Sequence, residues 1–337
     1  VKKTQILAKL TALIMIFILA ACGQNTSNSS DASTNQTSMD KVSFRLNWTA
    51  QGSHASIFYG IKAGIFEKYN IYLTAGEGKG SSNTINLIAT KNDTFGFADF
   101  GTMSTLVTQG APVKVIAPVY MKLSSAVISI EENGIAKPED IIGKKIGITE
   151  GDGPHKLFPA FLKSVGIEES QVELIPMEST AKVAALLSGQ VDAILGGFDD
   201  QPFQISSKGS MPTVIAYADY DVNVIGMAVV ANNETISNNP DLCKRFVQAY
   251  AEAWAETAKN SEGALDALVE AFPDLDRETV SNQLNSALDC LESERSSDIC
   301  KTDDQFFLDS IEMFKSYTNL NIDTKPEDLY TTQFLPE

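Results

Sequence analysis

Histidine and cysteine are scarce in this chain: two of the former, His54 and His155, and four of the latter, Cys22, Cys243, Cys290 and Cys300, in 337 residues. No CxxC and no Cys/His pair falls at metal-ligand spacing, so zinc chemistry has little to work with and no metal site is expected. Basic residues are short as well, 26 Lys and Arg standing against 43 Asp and Glu for a formal net charge of −17. No Lys/Arg cluster rises above that acidic background, which disfavours nucleic acid as a partner, because phosphate binding needs a basic face. Gly76-Glu77-Gly78-Lys79-Gly80-Ser81 puts Ser81 where GxGxxG needs its last glycine, and Gly78-Lys79-Gly80 is not the GK[ST] of a P-loop, so the sequence argues against nucleotide binding. One long apolar run exists, roughly twelve residues from Leu10 to Ala21, too short to span a bilayer comfortably.

That run is informative for what surrounds it. Lys2, Lys3 and Lys9 precede it and Leu19-Ala20-Ala21-Cys22 closes it, the order of a cleavable signal spanning residues 1–21. The tetrapeptide resembles that of bacterial lipoproteins, which implies cleavage before Cys22, acylation of Cys22 (palmitate) and an extracytoplasmic protein held to the cell membrane by lipid. An ordinary secretory signal with Cys22 merely near the cut is the alternative. Gly23 to Asp40 is almost entirely Ser, Asn, Thr, Gln, Asp and Ala. Such a stretch buries too little to offset its ordering entropy, so residues 22–40 read as a lipidated cysteine and flexible tether. The folded body starts near Lys41.

About 300 residues remain, at the size where single cores stop growing, so two lobes are expected. Phe44 to Trp48, Ile71 to Ala75, Phe95 to Phe100 and Val113 to Val119 read as strands alternating with helices at Ala55 to Lys68, Asn83 to Lys91 and Thr102 to Thr108. This is an α/β pattern with a mostly parallel sheet. A second series opens at Lys137-Pro138-Glu139-Asp140 and runs through strands at Val172 to Pro176, Val191 to Leu195 and Thr213 to Tyr217. After Val224 to Val230 come long helices, Pro240 to Lys259, Leu265 to Phe272, Arg277 to Leu291 and Asp304 to Tyr317. The economical topology returns the chain to the first lobe, giving lobe 1 as 41–130 plus 228–337 and lobe 2 as 131–227. The hinge is then two extended segments, Ala126 to Glu132 and Gly226 to Ala231. Cys290 and Cys300, ten residues apart across a polar stretch, can close a disulfide in an oxidising compartment; three free thiols, Cys243 included, are the alternative.

Five segments stand out together: Leu46-Asn47-Trp48 followed by His54 and Tyr59-Gly60-Ile61-Lys62-Ala63-Gly64-Ile65-Phe66; Gly78-Lys79-Gly80-Ser81-Ser82-Asn83; Phe97-Ala98-Asp99-Phe100-Gly101; Val191-Asp192-Ala193-Ile194; and Pro326-Glu327-Asp328-Leu329-Tyr330. In combination they resemble the substrate-binding proteins of ABC importers, in the branch of sulfonate, taurine, nitrate and thiamine-precursor pyrimidine (THI5-like) binders. The resemblance implies a type II periplasmic-binding-protein fold, with two α/β lobes joined by a two-segment hinge. It also implies a non-enzymatic monomer without cofactor that closes on a small molecule and presents it to the transmembrane subunits of a permease. A pyridoxal-phosphate-dependent pyrimidine synthase resembles this chain in fold, but its Cys-Cys-Cys-Phe-Cys motif is absent here.

In open α/β sheets ligands bind beyond the carboxyl ends of the strands, which nominates the strand-to-helix loops. Asn47, Trp48, Gln51 and His54 offer an aromatic plane with polar neighbours, and Tyr59 one turn on can line the same wall; Trp48 and Tyr59 equally suit core packing, and His54 a helix cap. Ser81, Ser82 and Asn83 precede or open a helix and can hold a polar group through hydroxyls and backbone N–H groups, or simply cap. The resemblance sets Asp99, Phe100 and Gly101 at the cleft floor, where Asp99 accepts from a ligand amine or caps the next helix. From lobe 2 come Gly151, Asp152 and Gly153, and then Phe198 as a second stacking face with Asp199 as an acceptor, though a loop of exposed acids is the plainer reading. Acids on both walls favour an amine-bearing heterocycle over a sulfonate, taurine or nitrate anion.

Overall fold

The computed structural model describes residues 39–291, 299–302, 304–318, 320 and 323–336. The signal, Cys22 and the tether up to residue 38 lie outside the described residues. No described helix is long and apolar enough to cross a membrane.

The chain opens with β1 (Asp40–Arg45), in which Val42 and Phe44 turn inward while their neighbours face out. Helices α1 (Ala55–Lys62) and α2 (Ile65–Lys68) follow, and the single helix expected over Ala55 to Lys68 is broken by Gly64 at φ 67°, a left-handed conformation that glycine adopts without strain. Then come β2 (Ile71–Gly76), α3 (Ser81–Ala89), β3 (Phe95–Asp99), α4 (Phe100–Thr108) and β4 (Val113–Pro118). β3 is buried along its whole length, as a central strand covered on both faces must be.

The chain next crosses to a second sheet built from β5 (Ser125–Ile130), β6 (Lys145–Ile148), β7 (Glu173–Pro176), β8 (Ala193–Gly197) and β9 (Pro212–Ala216), with helices α5 (Gly153–Ser164), α6 (Lys182–Leu187) and α7 (Gln201–Ser206) between them. It returns through β10 (Met227–Asn232) and ends in helices α8 (Asn233–Asn238), α9 (Pro240–Lys259), α10 (Ser261–Ala271), α11 (Arg277–Leu291), α12 (Asp304–Tyr317) and α13 (Pro326–Leu329).

The sheet orders are β2-β1-β3-β10-β4 and β7-β6-β8-β5-β9. Each holds one strand that pairs antiparallel with both neighbours, β10 in the first and β5 in the second. These are the two strands that follow a crossing. β4 ends at the edge facing the other sheet, so the chain enters that sheet from the same edge and must run against strands whose carboxyl ends point there. Both expected hinge segments are thereby corrected: most of Ala126 to Glu132 is β5 and most of Gly226 to Ala231 is β10. Ser125–Ile130, read as the end of lobe 1, pairs with β8 and β9 of the second sheet.

The crossings are the stretches 119–124 and 221–226, lying side by side. Val119 and Tyr120 donate their N–H groups to the Met227 carbonyl, Gly226 donates to the Tyr120 carbonyl, and the Leu123 N–H reaches Asn223 Oδ1 at 2.9 Å. The C-terminal helices hold this pair from outside: Met121 and Lys122 both donate to the carbonyl of Cys290 on α11, and Ile225 donates to Ser310 Oγ on α12.

One core lies between the first sheet and α1, α9, α10 and α11, centred on Phe246, whose ring stacks 4.2 Å from Phe95 and 5.6 Å from Phe44. Full burial of such a side chain contributes roughly 1.5–3 kcal/mol. A second core runs from α3, α4 and α12 into α5 and the second sheet. Cys243, Cys290 and Cys300 are free and buried in the first core, so the Cys290–Cys300 disulfide is not formed. Burial pushes all three thiols up, Cys243 to about 12, as expected for sulfurs used as small apolar groups.

Candidate functional site

The carboxyl ends of both sheets enclose a cavity of about 300 Å³. From the first sheet it receives the loop after β1, the turn before α3 and the β3–α4 elbow; from the second, the β6–α5 turn, the start of α6 and the β8–α7 turn. A second recess shares Trp48, Lys79 and Ser179 with it.

The β1 loop is held by backbone bonds: Gly80 N–H donates to the Asn47 carbonyl at 2.8 Å and Gly78 N–H to the Trp48 carbonyl at 2.9 Å. Gly78 has to be glycine, since a Cβ there would stand 1.9 Å from the Leu46 carbonyl oxygen. This pinning leaves Trp48 half-buried with its ring on the cavity rather than in the core. His54 is buried, its Nε2 2.8 Å from Asn47 Oδ1, and burial drives its pKa down to about 3. A neutral imidazole therefore positions Asn47 without lining the cavity.

Asp99 is the N-cap of α4: its Oδ1 accepts the Thr102 N–H at 2.6 Å, and its own N–H donates to Ser81 Oγ at 3.0 Å. The carboxylate also faces the first turn of α5 across the cleft, where a Cβ on Gly153 would lie 2.7 Å from Asp99 Oδ2. Burial raises its pKa despite the bond from Thr102. On the opposite wall Asp152 caps α5 by accepting from the His155 N–H and pairs with Lys182 Nζ at 3.3 Å; that buried ammonium also donates to the Leu195 carbonyl at 2.6 Å.

Asp199 and Asp200 are both buried and both raised in pKa by desolvation first, Asp200 to about 6. Among the described residues, the buried hydroxyls of Thr102 and Tyr120, which also line the cavity, have no hydrogen-bond partner. Five carboxylates and two lysines line the space. Acidic side chains thus outnumber basic ones on its walls, and the Trp48 ring borders it.

Of the residues nominated from sequence, Asn47, Trp48, Gln51, Ser81, Ser82, Asp99, Asp152, Gly153 and Asp199 meet at the cavity. The others do not. Tyr59 packs on the outer side of lobe 1, its hydroxyl accepting from Asn260 Nδ2 at 3.0 Å. Asn83 is exposed on α3. Phe100 packs edge-to-face in the core against Phe307 and Phe314, and Gly101 leaves room for the Phe314 ring. Gly151 serves the turn, with φ 76° and its N–H on His155 Nδ1. Phe198 turns away beneath Lys122, whose Nζ lies 5.5 Å from the ring centroid. Tyr120, Thr102, Lys182 and Asp200 complete the site without having been nominated; only Asp200, next to Asp199, carried a local signal.

Comparison with known proteins places this geometry. Residues 51–264 match the family described as NMT1/THI5 like. The chain is 25% identical over 235 residues to the riboflavin-binding protein RibY of Chloroflexus aurantiacus, covering 68% of this chain and 66% of that one. It is 25% identical over 159 residues to a putative thiamine biosynthesis protein of Haemophilus influenzae, covering 47% of this chain and 50% of that one. The chain thus spans about two thirds and one half of the lengths of these relatives. In structure it is similar to the alkanesulfonate-binding protein SsuA of Xanthomonas axonopodis pv. citri, with a TM-score of 0.70 and 13% identity over 87% of this chain and 98% of the other, a likeness of fold. The chain has the periplasmic-binding-protein fold, and it belongs to the NMT1/THI5-like family.

Proposed function

We propose that this protein is the extracytoplasmic, lipid-anchored solute receptor of an ABC importer, and that it captures a small amine-bearing heterocycle by closing two lobes about the crossings 119–124 and 221–226. The observation that carries this reading is the pair of buried hydroxyls without a hydrogen-bond partner, Thr102 and Tyr120, set among the buried carboxylates Asp99 and Asp199 and beside the Trp48 ring. A ring amine donating to Asp199 or Asp99 gives the buried carboxylate a further donor in place of the water lost on burial, and the indole supplies the flat face. The relatives named for riboflavin binding and thiamine biosynthesis support a heterocycle. Membrane attachment through Cys22, a monomeric state and delivery to permease subunits belong to the same proposal, as does the absence of enzymatic chemistry.

The anion reading has one feature in its favour, Lys79 beside the N-terminus of α3. The matching position on α5 is already faced by Asp99, which leaves a sulfonate there opposite a carboxylate. Thermal unfolding with aminopyrimidines, flavins, taurine and alkanesulfonates decides between the two. A heterocyclic amine at a hundredfold excess over its Kd adds about 2.7 kcal/mol of stability. Stabilisation by sulfonates alone overturns the ligand class, and pyridoxal absorbance in the purified protein overturns the non-enzymatic reading.

A further inference from the structure

We propose that Asp200 is an interlobe latch, a carboxylate of the second lobe received by Gln51 and Gln283 of the first, which holds the cleft shut before any ligand arrives. The inference rests on the hinge-closure reading above.

Asp200 lines the cavity, yet its acceptor capacity is already filled. Oδ1 takes Gln283 Nε2 at 2.6 Å and Gln204 Nε2 at 2.7 Å, and Oδ2 takes Gln201 Nε2 at 3.0 Å. The Gln51 amide, oriented so that its oxygen accepts from Ser53 Oγ, donates to both oxygens at 3.1 and 3.2 Å. An ionised carboxylate offers about four lone-pair sites, and four glutamines occupy them. A ligand amine would have to displace one, so this acid has another task than its neighbour Asp199.

The donors divide by lobe. Gln201 and Gln204 travel with Asp200 on α7, whereas Gln51 and Gln283 belong to the opposite body and separate from it on opening. The receiving side is preorganised. Gln283 is 3% exposed and its Oε1 accepts the Gly52 N–H at 2.9 Å. The Gly52 turn is pressed so closely on α11 that a Cβ would stand 2.1 Å from the Val280 carbonyl oxygen. All four donors are neutral, so the carboxylate is solvated by dipoles rather than neutralised, and water can replace two of them when the lobes part. That makes a clasp that releases without stranding a charge. The charged groups facing Asp200 are Asp199 beside it and Lys182 on α6; the buried His54 near the Gly52 turn is neutral.

The test is small-angle scattering of the full-length chain without ligand, on wild type and on Gln283→Leu, Gln283→Glu and Gln204→Leu. The wild type is expected to be compact. Gln283→Leu lowers the closed-to-open ratio roughly tenfold or more, the worth of one hydrogen bond to a charged group, and so expands the particle. Gln283→Glu expands it at neutral pH and recloses as pH falls and the two acids share a proton. Gln204→Leu, which removes a donor that stays with Asp200 in both states, leaves the radius near wild type. An already expanded unliganded wild type, or Gln283 variants that keep the wild-type radius, overturns the latch. Heterocycle binding measured calorimetrically on the same samples shows separately whether the receptor reading stands.

Discussion

Asp199 and Asp200 are consecutive, equally buried and raised in pKa by the same cause, yet they belong to different regions of the molecule. Asp199 looks onto the chamber floor, near hydroxyls that lack partners. Asp200 looks onto the seam between the lobes, where four amides saturate it. The difference teaches how to tell a binding group from a conformational one. Burial alone does not separate them; the origin of the partners does, since amides from both lobes meet on Asp200 whereas hydroxyls of the chamber lie near Asp199.

The sharpest way to break this comparison is to remove each acid in turn. Asp199→Ala is expected to weaken heterocycle binding by up to about a hundredfold, the loss of a hydrogen bond to a charged group, while the unliganded protein melts no lower than wild type because a desolvated carboxylate has been removed. Calorimetry with a parallel melt reads both; undiminished affinity would detach Asp199 from the ligand. Gly153→Ala comes next, since its Cβ would meet Asp99 Oδ2 at 2.7 Å and closure must leave a gap. A roughly tenfold loss of affinity with an unchanged melting temperature is expected, and equal affinity would show that Asp99 has room to yield.

A smaller effect tests the seam by pH. Asp200 is raised to about 6 in the closed form, against 3.8 when solvated, so closing takes up a proton. That contribution to closure is complete below pH 3.8 and is lost as pH rises through 6. The unliganded closed-to-open ratio should therefore increase about fourfold from pH 7 to pH 5.5, and Asp200→Asn should flatten the profile. A scattering profile independent of pH in the wild type would contradict the burial of an ionisable group in the seam. Smallest of all, Tyr59→Phe should leave affinity unchanged and cost about 0.5–1 kcal/mol of stability, read by denaturant unfolding, because its hydroxyl serves Asn260 and not the cleft.

Much of this architecture was legible locally. The alternation in β2, the buried run of β3 and the long helices α9 to α12 follow from periodicity, whereas the first strand, expected over Phe44 to Trp48, lies earlier as β1 (Asp40–Arg45). The strand-to-helix loops nominated Trp48, Asp99 and Asp199, which the structure brings to the cavity. The crossings were misplaced because Ala126 to Ile130 and Met227 to Ala231 are short apolar runs, equally suited to a strand or an extended linker. Only pairing with strands far along the chain decides between them. Phe198 was misassigned for a related reason: a loop aromatic can turn either way, and Lys122 in the adjoining crossing sits over its ring. Asp200 shows the deeper limit. Its role depends on Gln283, 83 positions away, and on a turn around Gly52 that gains its shape from α11.

Helix α11 touches both the first crossing, through the Cys290 carbonyl, and the seam, through Gln283. Those two points are seven residues apart on one helix, about 10 Å of stiff rod. Fulcrum and clasp are thus machined on a single bar: no relay of side chains is needed between them, and any partner that nudges this helix along its axis acts on both ends at once.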